Sequence, residues 1–197
     1  MTKQCDYAER GFVIEDGKLL NYNGKDENVV IPDGVKVIGA HSLGYNVKKI
    51  YLPESVEKVE PDAFIYGLCL EEIEVAKNNP YFYSQDDCLI ERATKKIIKG
   101  TRLSVIPQDG TVVAIGSNAF RNVDSARFCI RNCIKTIESC AFGGSVDVTL
   151  VIEAEKKPEG WADDWDSNEG ELWNEVDWEC GCANILLEWG VTFSDEE

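Results

Sequence analysis

Short runs in which every second residue is apolar recur along the chain. Val29/Ile31, Ile50/Leu52, Ile73/Val75, Phe128/Ile130 and Leu150/Ile152 each place two apolar side chains two positions apart. That period predicts short strands with one face turned inward. Successive pairs begin 21 (29 to 50), 23 (50 to 73) and 22 (128 to 150) residues apart. A near-constant spacing of that size marks a structural repeat rather than a set of independent strands.

Between the pairs a second set of columns lines up. The segments "IPDGVKVIGAHSL" (31–43), "LPESVEKVEPDAF" (52–64), "IPQDGTVVAIGSNAF" (106–120) and "IRNCIKTIESCAF" (130–142) share an apolar column at Val35, Val56, Val112 and Ile134. Ile38, Val59, Ile115 and Ile137 follow, then a small residue (Ser42, Ala63, Ala119, Ala141), then Leu43, Phe64, Phe120 or Phe142. Each unit reads as one coil: a strand, a turn that contains proline in three of the four, a small-plus-aromatic step that fills the interior, and a return. One coil cannot bury its own Val, Ile and Phe. Stacked coils can, because their strands form a parallel ladder and their inward columns a continuous core. A β-sandwich is the competing architecture, but it gives variable spacing and no fixed small-then-Phe step.

These units resemble the BspA-like bacterial leucine-rich repeats, in which a proline after the strand, an Ile-Gly pair and an Ala-Phe step recur; Cys69, five after Phe64, stands at the cysteine position of that pattern. The resemblance implies an α/β leucine-rich-repeat horseshoe, predominantly β: a right-handed solenoid of short parallel strands with an N-terminal hairpin cap and a Trp-rich C-terminal cap. It divides one structural domain into a cap hairpin over 1–27, a repeat array over 28–152 with a hairpin insertion at about 76–104, and an acidic cap over 153–197. The first hairpin turns at Asp16-Gly17, and the insertion "NNPYFYSQDDCLIERATKKIIKG" reads as two further alternating strands. Two departures stand out. The third unit carries two extra residues, which leaves the strand limits between 100 and 112 undetermined, and the fourth lacks the proline.

Charge changes the picture at one end. Residues 153–197 hold 15 acidic and 2 basic side chains, out of 36 and 20 in a chain of net charge −16. Without a Lys/Arg cluster such a chain repels phosphate backbones and anionic lipid, so neither nucleic acid nor a membrane is the expected partner. All five tryptophans stand at or beyond position 161. "EAEKKPEGWADDW" and "ILLEWG" resemble the ending of many such arrays, which implies that Trp161, Trp165 and Trp189 seal the last coil. Two other readings of this end stay open. Exposed tryptophans could stack on a glycan, and Asp164, Asp166, Asn168 and Glu175 stand at positions 1, 3, 5 and 12 of a calcium-loop count. The glycine falls at 170, however, one place beyond where the sharp turn of such a loop needs it.

Other chemistry is thinly supported. Cys180-x-Cys182 lacks a second ligand pair, and His41, the one histidine, occupies the repeat position held elsewhere by Asp62, Asn118 and Cys140. No nucleophile elbow or phosphate loop is present in the sequence, so an enzyme is not expected, and no cofactor. The eight cysteines are expected as reduced thiols, several in apolar settings. The N-terminal residues show no signal peptide, which points to the cytoplasm, or to the cell surface or secretion if the native start lies further upstream.

What remains is a surface. The strand face presents the residues between the inward ones: Val30, Tyr51, Glu74, Cys129 and Val151, flanked by Asn28, Lys49, Glu72, Arg127 and Thr149. Its mix of an aromatic with both charge signs suits a protein or peptide partner, with Tyr51, Glu74, Lys49, Glu72, Arg127 and Thr149 as the contact residues. The resemblance adds that related surface proteins act as adhesins for host matrix proteins or other cells.

Overall fold

The computed structural model describes residues 7–166 and 185–193. Asp16 and Gly17, both at positive φ, turn β1 (Phe12–Glu15) back on β2 (Lys18–Tyr22) as an antiparallel hairpin. Two ladders of parallel strands then build up. One runs β3 (Asn28–Val30), β5 (Lys49–Leu52), β7 (Glu72–Val75); the other continues from β2 through β4 (Val37–Ile38) to β6 (Lys58–Val59). Each coil therefore contributes two strands, one on each wall. The pairs Val29/Ile31, Ile50/Leu52, Phe128/Ile130 and Leu150/Ile152 are buried, as are Val35, Val56, Val112 and Ile134. The small column (Ser42, Ala63, Ala119, Ala141) and the large one after it are buried in every unit.

Residues 82–99 interrupt this pattern. β8 (Phe82–Gln85), β9 (Cys88–Glu91) and β10 (Lys96–Lys99) form an antiparallel meander. From β10 the second ladder resumes through β11 (Ala114–Ile115) to β13 (Thr136–Ile137), ending in a single bridge from Ile137 to Trp161. The first ladder resumes as β12 (Arg127–Ile130), β14 (Val148–Ile152) and β15 (Ile185–Trp189), all parallel. No strand occupies residues 100–113, the stretch whose limits the extra residues obscure.

The meander repeats the opening of the chain. Glu91 faces Lys96 across β9 and β10 as Glu15 faces Lys18 across β1 and β2. Two parallel strands follow in each case, and each is clasped by one ion pair: Lys18 to Glu60 at 2.8 Å, Lys96 to Glu138 at 2.9 Å. The two glutamates also accept backbone N–H groups, from Ala40 and from Ser117. β9 divides the interior. Leu89 packs with the core that runs from Phe12 through Ile73, whereas Cys88 and Ile90 pack with the core that ends at Trp161 and Trp165.

Entry to the meander depends on Asn79, which is buried. Its amide donates to the carbonyls of Pro53 (2.9 Å) and Val56 (3.0 Å), and its oxygen accepts the N–H groups of Tyr81 and Phe82 (both 2.8 Å). Alanine removes the donor to the Val56 carbonyl and the acceptor of the Tyr81 and Phe82 N–H groups, so Asn79→Ala is expected to lower unfolding stability by about 2 kcal/mol. Urea denaturation reads that loss; an unchanged midpoint would mean that water replaces the amide.

At the C-terminal end Trp161 and Trp165 are each 3% exposed. Their rings meet edge-on at 5.0 Å, Trp189 lies 5.9 Å from Trp161, and Phe142 packs against Trp165 at 5.9 Å. They close the last coil's apolar end, which is what a solenoid needs at its terminus.

Candidate functional site

The register of the first ladder brings four of the six expected contact residues together. Lys49 lies opposite Glu72, Tyr51 opposite Glu74, and Val30 opposite Tyr51 on the other side. Ile50 and Ile73 turn inward between them, so the outward residues form adjacent rows. The Lys49 ammonium bridges Glu72 at 2.7 Å and Glu74 at 3.0 Å. The hydrogen bonds it donates to Glu72 and Glu74 raise its pKa above the ordinary lysine value. Val30 is 51% exposed beside Tyr51, giving a small apolar spot rimmed by charge.

Arg127 and Thr149 lie elsewhere. They face each other across β12 and β14, in the sheet beyond the meander, where Arg127 pairs with Glu188 at 3.2 Å. Val151, expected on the outer face, is 2% exposed; it sits on the middle strand, flanked by Cys129 and Glu188 of the neighbouring strands. At the acidic end Asp164 belongs to the stacked turns: its carbonyl accepts the Cys140 N–H at 3.1 Å. Asp166 is described as well, whereas Asn168 and Glu175 lie outside the described residues, as do Trp173, Trp178, Cys180 and Cys182. Trp161 and Trp165 are core, not a stacking platform. Cys69, Cys88, Cys129 and Cys133 are free thiols, and burial pushes Cys88 up to about 12.

The turns that join the two ladders carry a column of their own. His41, Asp62, Asn118 and Cys140 all adopt left-handed backbone, with φ of 59°, 62°, 57° and 54°. This conformation lets each turn tighten before its small-plus-large step, and Asn and Asp tolerate it best among residues with a side chain. Successive turns then stack by hydrogen bonds, His41 N–H to the Asp62 carbonyl at 3.0 Å and Phe120 N–H to the Ala141 carbonyl at 2.7 Å.

One turn is absent from the stack. The chain passes straight from β10 through Gly100 and Thr101 to Ser104, without a small-plus-Phe step. The 62–68 turn and the 118–125 turn therefore face each other across a cleft, bridged by Asn118 Nδ2 to Asp62 Oδ1 at 2.7 Å. Gly100 is required there, since a Cβ would lie 2.1 Å from the Phe120 ring. Lys99 follows the alternation of β10 and points inward with Ile97, at 4% exposure. Its ammonium donates to the Arg121 carbonyl at 3.3 Å, an acceptor that a neighbouring turn would otherwise serve. Burial, with the nearby Arg121 charge, depresses its pKa to about 8. Alternation in "KIIK" carried the signal for this residue: Ile97 inward implies Lys99 inward.

A BspA type leucine-rich repeat region matches residues 17–88 and 94–155 in six copies, together more than half of the chain. The chain belongs to the BspA-type leucine-rich repeat family. Among solved structures it is similar to a leucine-rich cell surface protein from Faecalibacterium prausnitzii, at 16% identity over 84% of this chain and 60% of that one, with a TM-score of 0.50. It is also similar to a leucine-rich repeat protein from Eubacterium ventriosum (14% identity, 76% of this chain and 67% of that one, TM-score 0.45). A third is the pneumococcal vaccine antigen PcpA (15% identity, 66% and 43%, TM-score 0.40). At such identities the likeness to the Faecalibacterium protein is one of fold, and the chain spans less than two thirds of that protein's structure. No curated protein sequence matches. BspA-type repeats of this kind are generally protein-interaction or surface-associated modules.

Proposed function

We propose that this repeat protein is a non-enzymatic interaction module that takes a protein or peptide partner on the outward face of β3, β5 and β7. The observation that carries the reading is the contiguous patch of Val30, Tyr51, Lys49, Glu72 and Glu74, an aromatic and an exposed valine within a charged rim. Interfaces concentrate their energy in such half-buried aromatics surrounded by polar residues. Arg127 and Thr149, on the separate sheet, serve as a second contact area only for a partner long enough to pass the meander. Among the described residues no helix is long and apolar enough to cross a membrane. A surface or secreted setting fits the reading and accords with the cell-surface description of the Faecalibacterium protein.

The test is affinity capture with the intact chain beside a Tyr51→Ala/Glu74→Ala double variant of unchanged melting temperature. Capture of the bound partner is expected to weaken by about tenfold or more in the variant. Undiminished capture places the contact on another surface.

A further inference from the structure

The cleft left by the absent turn holds a positive charge that the fold does not neutralise. Four lysines on or beside the ladder strands meet carboxylates: Lys18 with Glu60, Lys48 with Glu27, Lys49 with Glu72 and Glu74, Lys96 with Glu138. Lys99 instead has the Arg121 carbonyl as its hydrogen-bond acceptor, although an ammonium carries three donors. Buried charges are ordinarily paired, because an uncompensated ion away from water is expensive.

The space beside it has a volume of about 390 Å³, within the range of small-ligand sites. Its charged lining is Lys48, Glu71, Lys99, Arg102, Arg121 and Asp124. Lys48 is cancelled by Glu27 and Arg102 by Glu71. The Arg121 guanidinium donates to Asn118 Oδ1, a neutral acceptor, at 3.1 Å. Among the described residues Lys99 and Arg121 therefore have no carboxylate in an ion pair, with Asp124 on the same lining and Asp62 beyond the Asn118 amide.

We propose that this cleft binds one carboxylate group, supplied by a free small carboxylic acid or by an acidic side chain of a peptide, with Lys99 and Arg121 as its cationic partners. A carboxylate matches the single charge of the buried Lys99 ammonium, whereas a phosphate dianion brings a second negative charge against Asp124 and Glu71. Asn122 and Ser125 on the same lining offer neutral donors to the second carboxylate oxygen, the Thr101 hydroxyl being held by the Glu71 carbonyl. The site is independent of the strand-face reading, because it lies among the turns and needs none of Tyr51, Glu72 or Glu74.

The experiment titrates the intact protein and its Lys99→Met variant with sodium acetate, with glutamate capped at both ends, and with sodium phosphate, at ionic strength held constant with chloride. Melting temperature is followed throughout, and the Lys99 ε-carbon resonance is followed against pH in the wild type. Acetate and capped glutamate are expected to raise the wild-type melting temperature saturably, to lose at least about tenfold in affinity in Lys99→Met, and to move the Lys99 midpoint upward. Tighter binding of capped glutamate assigns the site to a peptide side chain; acetate binding as tightly assigns it to a free acid. A wild type that ignores both carboxylates, an equal response in Lys99→Met, or preference for phosphate overturns the proposal. Should Lys99→Met not fold, a Lys99 midpoint unmoved by acetate has the same force.

Discussion

Phe120→Ala is expected to lower unfolding stability by about 3–5 kcal/mol, and the melting temperature by on the order of 10 °C. Phe120 is fully buried, stacked on Phe142 at 5.1 Å with an interplanar angle of 6°, and tilted against Phe128 at 4.7 Å. Gly100 is bare beneath it, so no flexible side chain stands ready to fill the vacated volume. Phe142 in turn supports Trp165, which carries the damage to the closing tryptophans. The same change at Phe64 should cost roughly half as much, since the adjoining coil lacks its turn and, among the described residues, brings no ring to it. Thermal and urea unfolding of the two variants side by side decide the matter. Equal losses would show that the cleft beside Phe64 is packed as tightly as the regular coils.

The second large effect is a pH dependence. Lys99 titrates near 8 in the folded protein and near 10.4 in an unfolded chain. Between these values the unfolded chain keeps a proton that the folded one releases, so stability rises with pH across that window. The gain is absent below the folded value and complete above about 10.4, amounting to about 3 kcal/mol. Cys88 works the other way at higher pH, because its buried thiol titrates near 12 and the unfolded chain ionises first. Subtracting the curve of Lys99→Met, which retains Cys88, isolates the lysine. The difference, wild type minus variant, should climb by about 2 kcal/mol in all between pH 8 and 10. A flat difference would mean that Lys99 is charged and solvated, or already neutralised. Its absolute size at pH 7 is a separate matter, since methionine also leaves the Arg121 carbonyl without its donor.

Much of this architecture was legible in the sequence because the columns are redundant. Val35, Val56, Val112 and Ile134 say the same thing four times, and the small-then-large step fixes their phase. The second ladder was not, although its residues stood in plain view. Strands as short as Val37–Ile38 or Thr136–Ile137 show no alternation of their own; only stacking of whole coils reveals them. The strand-face site was half legible: alternation told which way Tyr51 and Glu74 point, but not that the meander parts them from Arg127 and Thr149. Lys99 escaped for a related reason. An inward lysine is implausible in a regular coil and becomes reasonable only once a neighbouring turn is missing, a fact of three-dimensional stacking rather than of local pattern.

The meander at 82–99 also alters how the chain is to be counted. Hairpin, two short parallel strands and a lysine-to-glutamate clasp occur once from β1 to β6 and again from β9 to β13. What reads as an insertion is thus a second beginning, an opening cap set in the middle of the chain and turned against the end of the first array. The unit of architecture is then not the single coil but a short capped array used twice, head to tail. β9, with Leu89 on one side and Cys88 and Ile90 on the other, is a bulkhead between two compartments. Either compartment could gain or lose coils in evolution while the other kept its own seal.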